Sequence, residues 1–505
     1  MRHYVAILVA LSVLCCAPAR SATRNTGTQK LVSEYSRKEP LRSGVFGMLA
    51  VRGSDTLAQY NRRVKMVPAS NVKLITTGLA LRQLGPDWRF STSLAYSGKI
   101  TDGVLEGDLY ILGGGDPTTG SGSPCADLLP KTFGSWMTLL TEAGIKEIRG
   151  NIVGDARFFK RPSQGLSWQA EDLGYNYGAG PSGLNFFENA QRFCVTPSVE
   201  GKSPSVRPLY PDTPWMSYMN MAVTGPARSG NSIYYLNNEY APVGEFQGSF
   251  PSDRKSYTLE GSNSFGAYTC AYYFYNYLCD NGIAVHGRYA DVSPLGLVRT
   301  DLLFSDIGPA AAHAESLTPI GKKQSPTVAQ IVRDTNYESD NFYAESLFNM
   351  LAVSLYGHAD RELSERAVYQ LLKDMGLRTD GACQLLDGSG LSRKDYVSPD
   401  FFVSFLRKMY LSPEREPYVE SLPSPGSKST LQNRLPKAPD DVKERIKMKS
   451  GSMNGVRSFS GYILPASGND SKPIVFSIIT NNVSGPTYKV AAIIDEIILS
   501  LAQEP

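Results

Sequence analysis

Histidine is scarce in this 505-residue chain. His3, His286, His313 and His358 lie far apart with no ligand spacing, which argues against a metal centre and against a serine–histidine triad. Charge imbalance is missing too: a net charge of +3 gives no reason to expect nucleic acid as a partner. Past the N-terminal stretch, no apolar run is long enough to span a bilayer. Cysteine is sparse and odd in number, leaving Cys125, Cys194, Cys270, Cys279 and Cys383 beyond that stretch. Cys270 and Cys279 share one tyrosine-rich segment. If it is a helix, nine residues at 1.5 Å rise hold them roughly 13 Å apart, beyond disulfide reach. This is not a disulfide scaffold, and buried structural thiols are expected. With 42% hydrophobic and 20% charged residues, what remains is an ordinary globular chain of two to four domains.

Residues 1–22 have a basic start at Arg2, an apolar core from about Tyr4 to Cys16, and small residues after it. This is the pattern of a secretory signal, so the mature protein is expected to be exported, in the periplasm. Cys15 and Cys16 raise a lipid-anchor reading that the residues before them fit poorly. Peripheral membrane association stays open.

"GVFGMLAVRG" and "TLAQYN" read as a hairpin, and residues 71–84 as a helix between Pro68 and Gly85. From about residue 91 to 304 the chain turns rich in Gly, Pro, Ser and Tyr with short β-like runs, closed by a helix near Tyr268–Leu278. Helical periodicity returns with "SPTVAQIVRDT", "DNFYAESLFNMLAVSLYG" and "RAVYQLLKDMG". Late strands ("RIKMKSG", "VRSFSGYIL", "PIVFSIITN") and an amphipathic helix end it. The expectation is an α/β (α+β) fold. Residues 23–90 and 305–505 would form one discontinuous domain whose N-terminal hairpin and C-terminal strands share an antiparallel sheet. Residues 91–304 would be a β-rich insertion.

Three short motifs carry chemistry. Ser70 and Lys73 lie one turn apart where a polar loop becomes an apolar helix. A Ser-x-x-Lys match alone is weak: roughly two arise by chance in such a chain, and Ser252–Lys255 is a decoy in a polar loop. The setting of Ser70 differs. Free N–H groups at the helix start face a developing negative charge. A partly desolvated lysine there has a lowered pKa, and only a neutral amine accepts the serine proton. Ser339–Asp340–Asn341 opens a second helix, where an N-capping role is the plain alternative. Lys449–Ser450–Gly451 lies on a strand, where a solvated strand end is the alternative. Taken together and in this order, the three match the motif set of serine β-lactamases and penicillin-binding proteins.

With "VPASNVKLITTGLAL", "GDLYILGGGDPT", "YGAGPSGLNFFEN", "ESDNFYAESL", "DGSGLSR" and "MKSGSMNGVRSFSGYI", most of the mature chain resembles the low-molecular-mass class C penicillin-binding proteins, D-Ala-D-Ala carboxypeptidases/endopeptidases. The long interval between Lys73 and Ser339 fits a class that holds extra domains there. Ser450 departs mildly from the commoner threonine but keeps the hydroxyl. The resemblance implies a serine β-lactamase/DD-peptidase-like fold, no cofactor, and peptidoglycan peptides and β-lactams as partners. It implies Ser70 as nucleophile, Lys73 as base, Ser339 as proton relay and Asn341 on the substrate backbone. Lys449 and Ser450 would grip the terminal carboxylate, and the N–H groups of Ser70 and Ser452 would form the oxyanion hole past Gly451. Asp155, Phe159, Arg393 and Asn454 would line the cleft, with an exposed loop aspartate as the alternative for Asp155. Two other functions stay open: a β-lactamase or esterase on this fold, and a non-catalytic wall-binding protein.

Overall fold

The structure, a computed structural model, describes residues 26–292, 296–302, 317–466, 472–483 and 487–504; the signal-like N-terminus lies outside them. Helix α1 (Gly27–Tyr35) leads into the hairpin β1 (Val45–Arg52) and β2 (Asp55–Tyr60), then helix α2 (Val72–Leu84) and strand β3 (Arg89–Tyr96). Helix α3 (Gly266–Asp280) closes the middle region, and β4 (Thr318–Thr327) brings the chain back. Helices α4 (Val328–Glu338), α5 (Asn341–Tyr356) and α6 (Pro399–Tyr410) follow. Strands β5 (Ile446–Met453), β6 (Val456–Ile463) and β7 (Ile474–Asn481) and helix α7 (Thr487–Ala502) complete the described chain.

The hairpin and the late strands form one five-stranded sheet, β2-β1-β7-β6-β5, antiparallel throughout. This is the pairing expected from sequence. Both faces are covered, so β1 is apolar at successive positions rather than at alternate ones. Phe46, Met48 and Ala50 face one layer with Ile494 and Ile498 of α7. Leu49 and Val51 face the other, with Leu74, Ile75 and Leu79 of α2 and Phe402 and Phe405 of α6. Each such side chain contributes about 1.5–3 kcal/mol when fully buried. The two ends of the described chain meet: Thr28 donates from its N–H (2.9 Å) and its hydroxyl (2.7 Å) to Glu504 Oε1.

α2 runs through the helical layer with ten of its thirteen residues buried, Lys73 among them. The helix starts at Val72, after a 3₁₀ turn over Ala69–Asn71, one residue later than the periodicity predicts. Ser70 therefore sits in the turn. Ala69 before it holds φ +47°, a left-handed conformation that costs a non-glycine residue about 1–3 kcal/mol.

β3 leaves these layers and pairs antiparallel with the returning β4, Arg89 opposite Thr327 and Tyr96 opposite Thr318. They form one end of a six-stranded mixed sheet with Leu109–Leu112, Ile152–Asp155, Tyr289–Val292 and Val298–Arg299. Phe274 of α3 packs against Phe133 and Trp136 of the helix Leu129–Glu142 (ring centroids 5.2 Å in both cases). Two three-stranded sheets between residues 190 and 262 add to this region. All five described cysteines are free, and only Cys270 and Cys383 are buried. Cys279 is exposed in the last turn of α3, so the expectation of buried thiols fails there. No helix among the described residues is long and apolar enough to cross a membrane.

Candidate active site

Lys73 Nζ donates to Ser70 Oγ (2.9 Å), Asn341 Oδ1 (2.6 Å) and Ser389 O (2.8 Å). Three acceptors around one fully buried amine fix it on the serine hydroxyl. Opposite, Lys449 Nζ donates to Ser339 Oγ and to Ser450 O, both at 2.8 Å. Of the five residues singled out from sequence, Ser70 and Lys73, and Ser339 and Lys449, thus meet as two amine–hydroxyl pairs, with Asn341 on Lys73.

Local structure explains each placement. Ser339 ends α4 at φ +62°, so the chain reverses there and α5 starts two residues on. Asp340 caps α5 by accepting from Tyr343 N (2.9 Å); the cap is the aspartate, which leaves the Ser339 hydroxyl and the Asn341 amide turned to the lysines. Gly451 lets β5 run against the turn that carries Ser70. A Cβ there would meet Ser458 Oγ at 2.2 Å, Pro68 O at 2.7 Å and Ser70 N at 3.1 Å. Ser458 Oγ in turn donates to Pro68 O (2.6 Å). Gly390, at φ +79°, passes so close to Ala69 O that a Cβ would lie 2.0 Å from it.

Burial is the leading influence on both amines. It brings the Lys73 pKa down from 10.5 to about 8, against an upward pull from Asp387, Asp340 and Glu345. Lys449 is pushed well below the ordinary lysine range by burial and by Lys73 beside it. The expectation that Lys449 simply adds positive field therefore needs a counter-ion brought to it.

The remaining predicted residues divide. Gly451 is buried in β5 and Ser452 is exposed beside it; the Ser450 hydroxyl donates to Thr430 Oγ1 (3.2 Å). Arg393 reaches Asn454 O (3.3 Å) and Gln169 Oε1 (2.6 Å), which joins the end of β5 to the middle region. Asp155 and Phe159 are not arranged as rim groups. Arg157 forks onto both oxygens of Asp155 (2.6–3.2 Å), and Phe159 is 5% exposed within the main apolar core. In their place the structure brings up Tyr177, whose carbonyl accepts from Asn341 Nδ2 (2.8 Å) and whose hydroxyl donates to Asp172 Oδ1 (3.1 Å). Tyr177 stacks on Tyr175 (5.2 Å, 10°) and is 41% exposed. The acidic "AED" run before "YNY" was the available signal for Asp172. The backbone contact of Tyr177 has no sequence signature. Among the described residues no His, Cys, Asp and Glu group could hold a metal ion.

A five-stranded antiparallel sheet, a serine in the turn entering a buried helix, a lysine one turn on, and a lysine-bearing strand alongside define a serine DD-peptidase-like fold. The chain belongs to the D-Ala-D-Ala carboxypeptidase 3 (S13) family, which it matches over residues 28–294 and 300–501. It is 29% identical to the D-alanyl-D-alanine carboxypeptidase of Actinomadura sp. (strain R39), over 98% of this chain and 89% of that protein. Among solved structures it is similar to penicillin binding protein 4 from Haemophilus influenzae (TM-score 0.76, 23% identity, 93% of this chain, 98% of that one). It also matches the complex of that protein with a β-lactam (TM-score 0.71, 21% identity, 93% and 98%). The chain is therefore a serine-type D-Ala-D-Ala carboxypeptidase, a hydrolase, and the resemblance read from its motifs stands.

Proposed function

We propose that the reaction runs through Ser70 and Lys73, an assignment that rests on the 2.9 Å contact between them. Neutral Lys73 takes the hydroxyl proton as Ser70 Oγ attacks the carbonyl between two D-alanines. The bond to the terminal D-alanine breaks and an acyl-enzyme forms. Ser339, held by Lys449, passes a proton to the leaving amine. Water then releases the acyl group. The Ser70 and Ser452 N–H groups receive the oxyanion; losing one such donor costs about 10²–10³ in rate. The substrate carboxylate, met by Lys449 and Ser450, supplies the missing counter-ion and draws a proton onto Lys449. The charge so created disfavours the ammonium of Lys73 and frees it as a base.

The donor groups on the rim are Arg393 and Asn454, and the acceptor for a stem-peptide ammonium is Asp172 beside Tyr177 rather than Asp155. A β-lactam acylates the same serine and stays, because its leaving group remains tethered. The catalytic unit is read as residues 23–90 and 305–505, with 91–304 inserted, and the protein as exported by its first 22 residues. Mass spectrometry after penicillin should place the adduct on Ser70. Ser70→Ala should abolish both the adduct and release of D-alanine from peptidoglycan peptides, and retention of either would overturn the assignment. Cross-linked and uncross-linked peptides run in parallel measure endopeptidase against carboxypeptidase action. An acyl-enzyme lifetime of seconds or less would instead favour a β-lactamase.

A further inference from the structure

Behind Lys73, away from Ser70, lies a turn over residues 387–392 that is held by buried carboxyl groups. Its carbonyls face the nucleophile helix: Gly388 O accepts from Thr76 Oγ1 (2.7 Å) and Ser389 O from Lys73 Nζ (2.8 Å). Its N–H groups face carboxylates. Gly388 N and Ser389 N donate to Glu345 Oε1 (3.0 and 2.9 Å), Gly390 N to Asp387 Oδ1 (2.7 Å) and Ser392 N to Asp387 Oδ2 (2.7 Å). Asp387 Oδ2 also accepts from the indole N–H of Trp168 (2.9 Å), which comes from the middle region. Four N–H groups converging on two carboxylates clamp the turn, and the clamp aims the Ser389 carbonyl at Lys73.

The protons can be assigned from these partners. Both Asp387 oxygens take N–H donors, so Asp387 is the carboxylate. Asp395 lies in hydrogen-bonding contact with it. Its Oδ1 accepts from Leu386 N (2.7 Å), while, among the described residues, its Oδ2 finds no donor. A buried carboxyl oxygen with no donor is costly as an anion. Burial first and then the charge of Asp387 push the Asp395 carboxyl well above the usual carboxylate range, so Asp395 is taken as the neutral acid of the pair, its proton toward Asp387. The other charged groups facing Lys73 are Asp340 and Glu345 at the start of α5 and Lys449 on β5. Glu345 is already paired with Arg361 (2.6 Å). Among the described residues Asp387 forms no such ion pair, and of the three carboxylates it pulls hardest on Lys73.

We propose that Asp387, tethered by Trp168 and by the proton of Asp395, is a positioning residue that holds Lys73 on Ser70 and sets the pH at which the amine becomes free to accept the serine proton. The inference rests on Lys73 being the base. Its sign follows: the Asp387 charge favours the ammonium, so its loss frees the amine at lower pH.

The test is the rate of acylation by a fluorescent penicillin from pH 5.5 to 10 on the full chain, with thermal melting of each variant. Asp387→Asn should move the acid limb down by about one pH unit, the low end of what a nearby opposite charge contributes. Asp395→Asn, which retains a donor toward Asp387, should leave the limb in place. If Asp387→Asn does not fold, Trp168→Phe carries the test and should move the limb the same way by a smaller amount. An unmoved limb in a folded Asp387→Asn or Trp168→Phe protein overturns the proposal, as does an equal shift in Asp395→Asn. Lys73→Ala that still acylates with an unchanged profile would refute the base assignment itself, a different failure.

Discussion

Replacing Gly451 by alanine adds one methyl group where β5 passes the nucleophile. That carbon would lie 2.2 Å from Ser458 Oγ, 2.7 Å from Pro68 O and 3.1 Å from Ser70 N. The serine side chain can rotate away and forfeit its bond to Pro68 O, a loss of about 0.5–1.5 kcal/mol. Pro68 O and Ser70 N are backbone and cannot yield alone, so the strand and the turn must separate by something approaching 1 Å. The global cost is that of overpacking, about 1–3 kcal/mol. The cost in rate is of the same order: a misplacement of that size reduces turnover about 10²-fold, because the two N–H groups proposed for the oxyanion, of Ser70 and Ser452, belong to the turn and the strand on either side of the gap. Stopped-flow acylation by a penicillin, with circular dichroism at the same temperature to confirm folding, separates the two costs. A folded Gly451→Ala protein acylated within threefold of the parent, on the order of 0.6 kcal/mol in barrier, would refute the placement of the oxyanion site at this contact.

With the Lys73 pKa brought down to about 8 and only the neutral amine active, acylation should rise roughly tenfold between pH 7 and pH 9; a flat profile over that range, read with a fluorescent penicillin, would contradict the base assignment. Asp172→Asn should weaken cleavage of stem peptides that carry a free ammonium more than tenfold while leaving penicillin acylation within threefold, the range of one charge-assisted hydrogen bond. Asp155→Asn should change neither, and the reverse pattern in a peptide assay would reassign the rim. Gly78→Ala should lower stability by about 1–3 kcal/mol in urea melts in spite of alanine's better helix propensity, because its Cβ would lie 2.8 Å from Phe405 Cζ and 3.1 Å from Tyr418 Cε2.

The sheet was legible because both its halves are short apolar strands whose termini had to meet, and the Ser70, Ser339 and Lys449 motifs were legible because each sits at a change of element. What sequence left out was tertiary. "GDARFF" and "AEDLGYNY" each offer an aspartate in a polar stretch, and nothing local says which one keeps its carboxylate for a ligand; Arg157, two residues on, occupies Asp155. Lys449 reads as a polar strand position, yet it is fully buried, because the sheet edge is covered by the Ser339 turn more than a hundred residues earlier. Likewise "DGSGLSR" shows glycines and serines that permit a tight turn, but not that Glu345, from another helix, would take two of its N–H groups.

The middle region bears on this last point. Three contacts join its segment 168–177 to the site: Trp168 to Asp387, Gln169 to Arg393, and Tyr177 O to Asn341. Asn341 accepts from Lys73, and Asp387 braces the turn whose Ser389 carbonyl Lys73 meets, so the segment bears on the orientation of that amine. A region that only displayed the enzyme on a surface would have no reason to place an indole N–H on a buried carboxylate. Desolvating a charge in this way is unfavourable unless every lone pair is met, and Trp168 meets one that the turn's own backbone leaves over. The middle region is therefore part of the candidate site in the physical sense, since removing it would leave Asp387 short of a donor.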